Sequence, residues 1–111
     1  MLPSSKRLTT SLFKETIAKG RIFHSSLFTI RVMKSEGLSR FSVAVPKKVA
    51  KTAVERNKLR RRTYSVLRNL HSRIKVGFHG VFITKPSIKT ANIDSIREDT
   101  EQFFVKSGLL K

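Results

Sequence analysis

The sequence predicts a single α+β domain, a two-layer sandwich in which a small, mostly antiparallel sheet of about four strands packs with three helices. Two observations support this fold class. The spacing of apolar residues switches from a helical period to a strand period and back along the chain. A length of 111 residues also supports one modest hydrophobic core. A strand–helix–strand order in the second half predicts a crossover connection around the central helix.

In the first half, residues 1–8 form a polar, basic arm that we expect to be loosely ordered. A short helix follows and stops at Gly20. Residues 27–32 and 41–45 are rich in aromatic and branched side chains, which predicts two strands. Because a short turn segment lies between them, we expect these strands to pair as an antiparallel hairpin.

In the second half, a central helix is predicted from Thr52 or Ala53 to about Ser72, because apolar side chains recur at the spacing of a core-facing stripe. That stripe consists of Leu59, Val66, Leu67 and Leu70. A short strand follows at residues 81–84. A last helix then carries a second apolar stripe, formed by Ile93, Ile96, Phe103 and Phe104.

The central helix is the most basic stretch of the chain, since five of the seven residues from 56 to 62 are Lys or Arg. At about 100° per residue, its polar side chains gather on one face beside the apolar stripe. That face contains Asn57, Arg60, Arg61, Tyr64 and Arg68, with Arg56 at its edge. Lys58 and Arg62 project to the far side. The helix is therefore predicted to pack by one side and to offer a cationic side to a partner.

The chain carries 24 Lys and Arg against 7 Asp and Glu, a formal net charge of +17. Such a charge destabilises a compact domain by self-repulsion unless a polyanion offsets it. This favours a nucleic-acid partner over an anionic membrane surface. No cysteine is present, which excludes disulfides and thiolate metal sites. Without an apolar signal segment or a stretch of about 18 apolar residues, we expect a cytoplasmic protein.

The sequence offers little for catalysis. His24, His71 and His79 are scattered without metal-ligand spacing, and neither a nucleophile elbow nor a phosphate-binding loop occurs. Four acids crowd the last helix, where we interpret them as a solvated face that complements the helix dipole. They are Asp94, Glu98, Asp99 and Glu101. We therefore predict a binding protein without catalytic residues and assign no metal site.

Two aromatic residues, Phe13 and Phe28, have two interpretations. Each belongs either to the core or to a stacking surface for single-stranded nucleic acid, which combines aromatic rings with cations. The positive charge on that surface would come from Arg31, Lys34, Lys47 and Lys48.

Four stretches, in this order and spacing, resemble the protein subunit of bacterial ribonuclease P. They are residues 12–20, residues 41–48 with a terminal Lys-Lys pair, residues 53–61 with a signature like Arg-Asn-Arg, and residues 81–86 with a terminal Lys-Pro. Lys58 stands where the third signature residue is usually Arg, which keeps the charge but loses bidentate geometry. Ile17 and Arg31 stand where many members carry aromatic residues in a cleft.

The resemblance implies a noncatalytic subunit of an endonuclease whose catalytic RNA uses Mg²⁺ to remove the 5′ leader of precursor tRNA. The RNA subunit would be contacted by Arg56, Asn57, Lys58, Arg60 and Arg61, joined by Arg68 of the predicted basic face. A cleft for the single-stranded leader would be lined by Phe13, Ile17, Phe28, Arg31, Lys47 and Lys48. The resemblance also implies a left-handed crossover around the central helix. We expect one copy in the complex and neither a membrane nor a small-molecule partner.

Three alternatives stay open at this point. A small basic ribosomal or general RNA-binding protein would share the composition, but the signature helix favours the ribonuclease P subunit. A membrane-surface protein would need an apolar helix face free to insert, whereas the central helix uses its stripe for the core. A protein nuclease acting alone would need an acid pair or histidine site, which the sequence lacks.

Overall fold

The computed structural model describes residues 6–111, and the first five residues of the predicted arm lie outside this range. Its helices are α1 (Thr10–Lys19), α2 (Ala53–Leu70) and α3 (Ile93–Ser107), and its strands are β1 (Arg21–His24), β2 (Phe28–Lys34), β3 (Arg40–Ala44) and β4 (Phe78–Thr84). Short 3₁₀ helices occupy His71–Arg73 and Pro86–Thr90. Before α1, Arg7 forms a single bridge with Phe41, so the described end of the arm lies along β3.

The four strands form one sheet in the order β1-β2-β4-β3. The β1–β2 and β2–β4 pairs are antiparallel and the β3–β4 pair is parallel, which confirms the predicted mostly antiparallel α+β fold. Because α2 connects the parallel strands β3 and β4, the predicted crossover is present. Its left-handed sense stays a prediction from the resemblance. The predicted hairpin of residues 27–32 with 41–45 is wrong, since β4 lies between β2 and β3 and bonds to both.

The segment before β2 forms a separate strand, β1, which the sequence pattern did not predict. The chain reverses between β1 and β2 without a glycine or proline, and a residue of α3 holds this turn. The Asp99 carboxylate accepts hydrogen bonds from the Ser25 hydroxyl at 2.7 Å and from the Ser26 and Leu27 amides at 3.1 and 3.2 Å. The expectation that Asp99 belongs to a solvated face is therefore wrong. It is a structural residue that ties α3 to the sheet.

One face of the sheet packs against α2 and α3. The largest fully buried side chains on this side include Phe28, Phe41, Phe82 and Phe104. The ring centroids of Phe28 and Phe82 are 5.4 Å apart, edge to face, and those of Phe41 and Phe104 are 5.7 Å apart. Such pairs contribute about 0.5–1.5 kcal/mol each beyond their burial. A Cβ on Gly80 would lie 2.8 Å from the Phe41 ring, so glycine leaves the space that this ring needs.

The opposite face of the sheet is partly covered by α1, which contacts β2 and β4. Val81 of β4 is fully buried but separate from the main core, because strand alternation directs it to the α1 side. At the end of α1, a Cβ on Gly20 would lie 2.5 Å from the Thr16 carbonyl oxygen and 3.1 Å from the Val32 nitrogen. Glycine at this position therefore lets the helix end directly against β2.

The three α-helices begin at side-chain caps. Thr9, Thr52 and Asn92 each accept a hydrogen bond from the backbone amide three residues later. A cap of this kind is worth about 1 kcal/mol, because it satisfies an otherwise unpaired donor. At its other end, α3 stops at Gly108, whose φ of 74° is left-handed. Within residues 6–111, no helix combines the length and apolar character needed to cross a membrane.

Candidate nucleic-acid interface

Helix α2 packs against β3 and α3 by one side and exposes the other. The buried side chains are Leu59, Thr63, Tyr64, Val66, Leu67 and Leu70, which include the whole predicted stripe. The exposed side chains include four of the predicted site residues, Asn57, Lys58, Arg61 and Arg68. The predicted division of this helix into a core side and a cationic side is therefore confirmed. The expectation that Lys58 projects to the far side is wrong, because Lys58 lies one turn before Arg61 and is exposed with it. We call the exposed set, together with Arg60, the α2 basic face.

Tyr64 does not belong to the α2 basic face, so its predicted position is wrong. Its side chain is only 7% exposed. Its hydroxyl oxygen accepts a hydrogen bond from the Val43 amide at 3.0 Å. Strand β3 is at the edge of the sheet, and this amide would otherwise be a buried donor without a partner. Tyr64 thus fastens α2 to β3 while its ring packs in the core.

Two arginines of α2, Arg56 and Arg60, are half-buried and already hydrogen-bonded. Nη1 of Arg56 donates to the carbonyl oxygens of Ala50 and Lys51 at 3.0 and 2.9 Å, which ties the preceding connection to the first turn of α2. Arg60 donates to the side-chain oxygen of Asn57, one turn earlier on the helix. Arg60 and Asn57 therefore form an ordered pair, whereas Arg56 also supports the backbone before the helix.

The cations of α2 lack carboxylate partners within the described chain. Among residues 6–111, the single salt bridge joins Arg97 and Asp94 of α3, at 2.6 Å. Val54 is 77% exposed and, with Asn57, Arg60 and Arg61, lines a shallow depression on α2. Unneutralised guanidinium groups around an apolar patch can bind a phosphate and contact the adjoining sugar or base.

A second predicted surface is centred on α1. Phe13 and Ile17 are half-buried and one turn apart, so they share a flank of the helix. Arg31 lies on the sheet face that α1 covers, and its Nη1 is 3.4 Å from the Gly20 carbonyl oxygen. The structure therefore brings the elements that carry these three residues together. We call Phe13, Ile17 and Arg31 the α1 flank.

Lys47 and Lys48 are exposed in the turn that follows β3, at one end of the sheet, and not on α1 or β2. Phe28 is fully buried on the other side of the sheet, against Phe82, so its ring has no face open to an RNA base. The prediction that Phe28 lines the cleft is therefore wrong, and the core interpretation of this residue is correct.

Ile22 also belongs to the surface around the α1 flank, although it was not predicted from the sequence. Ile22 of β1 pairs with Arg31 of β2 in the sheet and is 49% exposed. Paired residues of adjacent strands point to the same face, so Ile22 lies on the α1 side. Alternation within β1 was the signal that could have identified it, but that signal depends on knowing where β1 ends.

Two of the three histidines, His71 and His79, are buried. His71 lies with Nε2 2.9 Å from the Ser39 carbonyl oxygen. His79 is 5% exposed, and its pKa is lowered mainly by burial and also by the positive charge of Arg40, against an opposing effect of Glu15. In the part of the chain that the structure describes, no three His, Cys, Asp or Glu side chains gather as metal ligands.

Comparisons with known proteins agree on one family. The family model described as "Ribonuclease P" matches residues 2–108. The ribonuclease P protein component of Microcystis aeruginosa is 30% identical over 103 residues, covering 88% of this chain and 86% of the relative. That of a Synechocystis strain is 30% identical over 100 residues, covering 88% and 81%.

Solved structures show the same fold. The RNase P protein from Staphylococcus aureus superposes with a TM-score of 0.83 at 19% identity, covering 96% of this chain and 98% of that one. The protein from Thermotoga maritima gives a TM-score of 0.80 at 23% identity, covering 90% and 96%. None of these comparisons supports the ribosomal alternative. The chain therefore belongs to the ribonuclease P protein family and is the protein component of a tRNA-processing endonuclease.

Proposed function

We propose that the α2 basic face binds the catalytic RNA of ribonuclease P and that the α1 flank binds the single-stranded 5′ leader of precursor tRNA. Family membership implies association with the RNA; the surfaces are the proposal. The observation that carries it is the one-sided character of α2. Six of its side chains are buried, and its opposite side presents cations that no carboxylate of residues 6–111 neutralises.

On the α2 basic face, we assign the direct phosphate contacts to Lys58, Arg61 and Arg68, because their side chains are exposed. An arginine can donate two parallel hydrogen bonds to a phosphate, whereas Lys58 contributes a point charge. Arg60 is oriented by its bond to Asn57 and loses little conformational freedom when RNA binds. Arg56 supports the face by holding the backbone before α2 in place.

On the α1 flank, the half-buried ring of Phe13 is suited to stack on one leader base, a contact worth about 1–3 kcal/mol. Ile17 and the exposed Ile22 add apolar contacts beside it. Arg31 can stack on a base through its guanidinium plane or bind a phosphate. Stacking and phosphate contacts do not distinguish one base from another, so we expect little sequence preference in the leader. Lys47 and Lys48 extend the positive charge beyond β3.

The chain contributes binding and charge neutralisation rather than chemical groups. Bringing precursor tRNA to a catalytic RNA brings two polyanions together, and a subunit of formal charge +17 reduces their repulsion. We propose that the Mg²⁺ of the reaction is used by the RNA subunit and by the RNA–protein complex. We place the complex in the cytoplasm, with one copy of this chain in it.

The test compares precursor tRNAs whose leaders grow one nucleotide at a time with mature tRNA, in the presence of the catalytic RNA. With the protein present, affinity should rise with leader length and then level off once the α1 flank is filled. Without the protein, leader length should have little effect. The same gain with and without protein would contradict leader binding by this chain.

A further inference from the structure

A groove lies between the start of β1 and the C-terminal end of α3, and neither surface described above includes it. Its volume is about 460 Å³, and its floor is formed by Phe23, Val32, Phe78 and Leu109. Four cations surround this floor, namely Lys19, Arg21, Lys34 and Lys75. Phe23, Val32 and Phe78 point to the α2 and α3 side of the sheet, whereas Arg31 points to the α1 side. The groove is therefore distinct from the α1 flank.

The four cations come from separate segments of the chain: the end of α1, the start of β1, the end of β2 and the connection before β4. All four side chains are exposed. No Asp or Glu lines the groove, and within residues 6–111 none of these cations forms a salt bridge. Converging cations without acids favour an occupant with several negative charges, and a phosphodiester backbone has that property.

The floor adds aromatic rings to this charge. The Phe23 ring meets Phe103 edge to face, with centroids 5.5 Å apart, which fixes its position. The guanidinium carbon of Arg21 lies over the Phe23 ring, 5.6 Å from its centroid. The pair presents a planar cation supported by an aromatic ring, beside the half-buried ring of Phe78. Aromatic rings and guanidinium groups on which bases can stack, together with nearby cations, bind single-stranded nucleic acid without strong sequence preference.

We propose that this groove binds a short single-stranded segment of RNA, with one base stacked on Arg21 and phosphates contacted by Lys19, Lys34 and Lys75. Lys19 is the last residue of α1, so the groove begins where the α1 flank ends. A strand that leaves the flank can continue around the end of the sheet into the groove. The precursor leader and an unpaired segment of the catalytic RNA offer the same chemistry.

The first test replaces the three lysines together, as K19Q/K34Q/K75Q. A matched control, K89Q/K106Q/K111Q, removes the same charge from exposed lysines outside the groove. Binding of a fluorescent oligouridine of about eight nucleotides is followed by anisotropy over a series of salt concentrations. We expect the groove variant to bind about tenfold more weakly. The salt slope, which is the slope of log affinity against log salt concentration, should be lower in magnitude by about 2, because each lost phosphate contact to a single strand removes about 0.7. The control should change both quantities far less. Equal changes in the two variants would overturn the proposal.

Two further variants separate stacking and folding from charge. Arg21→Lys keeps the charge but removes the planar group, so affinity should fall at least about fivefold, the loss of one stacked base, with the salt slope unchanged. Unaltered affinity would refute the proposal that a base stacks on Arg21. Thermal unfolding should be the same for all variants, because the replaced side chains are exposed. If the triple variant unfolds early, Lys34→Gln alone should still lower the slope by about 0.7.

The source of the RNA is decided with the natural partners. Weaker binding of K19Q/K34Q/K75Q to the catalytic RNA alone would assign the groove to that RNA. A loss confined to precursor tRNA with a leader, and absent for mature tRNA, would assign it to the leader. A loss for neither natural RNA would overturn the proposal. Because oligouridine binding needs neither partner, the groove can fail this test while the functions proposed for α2 and α1 stand.

Discussion

The most informative perturbation reverses charge on the α2 basic face with the double variant R60E/R61E. Arg61 is exposed and free to contact a phosphate, whereas Arg60 is half-buried and already donates to Asn57. Neither side chain is part of the core, so the variant should remain folded, which its thermal unfolding curve checks. We expect its affinity for the catalytic RNA to fall steeply.

The magnitude follows from the two contacts. A hydrogen bond to a charged group contributes about 1.5–3 kcal/mol, and the ordered Arg60 falls at the lower end because one of its donors is already used. The two losses total about 3–5 kcal/mol, which raises the dissociation constant by roughly 10²–10⁴-fold. The salt slope should also decrease by about 2, since each phosphate contact to a duplex contributes about 0.9.

The assay is filter binding or anisotropy with labelled catalytic RNA at several salt concentrations. The control is K106E/K111E, which makes the same change in net charge at two exposed lysines outside the α2 basic face and outside the depressions that its residues line. The control should lose far less affinity, because only a general change in charge affects it. If both variants lose affinity equally, or if R60E/R61E keeps the wild-type salt slope, the assignment of this face to RNA binding is refuted.

Two other predictions concern stacking and packing. Phe13→Ala should weaken binding of precursor tRNA by about 1–3 kcal/mol relative to mature tRNA, because only the precursor supplies a leader base to stack; equal losses for both would make Phe13 a packing residue. Tyr64→Phe should lower the free energy of unfolding, measured with denaturant, by about 1–3 kcal/mol, because it leaves the Val43 amide without an acceptor. An unchanged stability together with weaker RNA binding would return Tyr64 to the RNA-facing side.

Periodicity predicted the parts of the structure that depend on local spacing. The core side of α2, with Leu59, Val66, Leu67 and Leu70, followed from the helical repeat alone. Polar side chains at the same repeat predicted the exposed side, where Asn57, Arg61 and Arg68 lie. Tyr64 was misplaced because its angle on the helix lies beside this set, and only the neighbouring strand shows that its hydroxyl has a buried partner.

Features created by distant residues could not be predicted in this way. The break between β1 and β2 depends on Asp99, which lies 72 to 74 positions further along the chain. The strand order depends on β4 entering between β2 and β3, which the spacing of the first two predicted strands cannot indicate. Burial of Phe28 also depends on the position of β4 beside β2, because Phe82 of β4 packs against the Phe28 ring. The missed Ile22 and the groove beside Phe23 depend on β1 being a separate strand.

Precursor-tRNA cleavage at low magnesium, measured with a bacterial ribonuclease P RNA with and without this protein, tests the proposed function as a whole. We expect the protein to stimulate RNA-dependent cleavage at the mature 5′ end, because its cations replace part of the charge neutralisation that magnesium supplies. The protein alone should cleave nothing. Binding to the RNA without stimulation, or cleavage by the purified protein in the absence of RNA, would refute the proposed function.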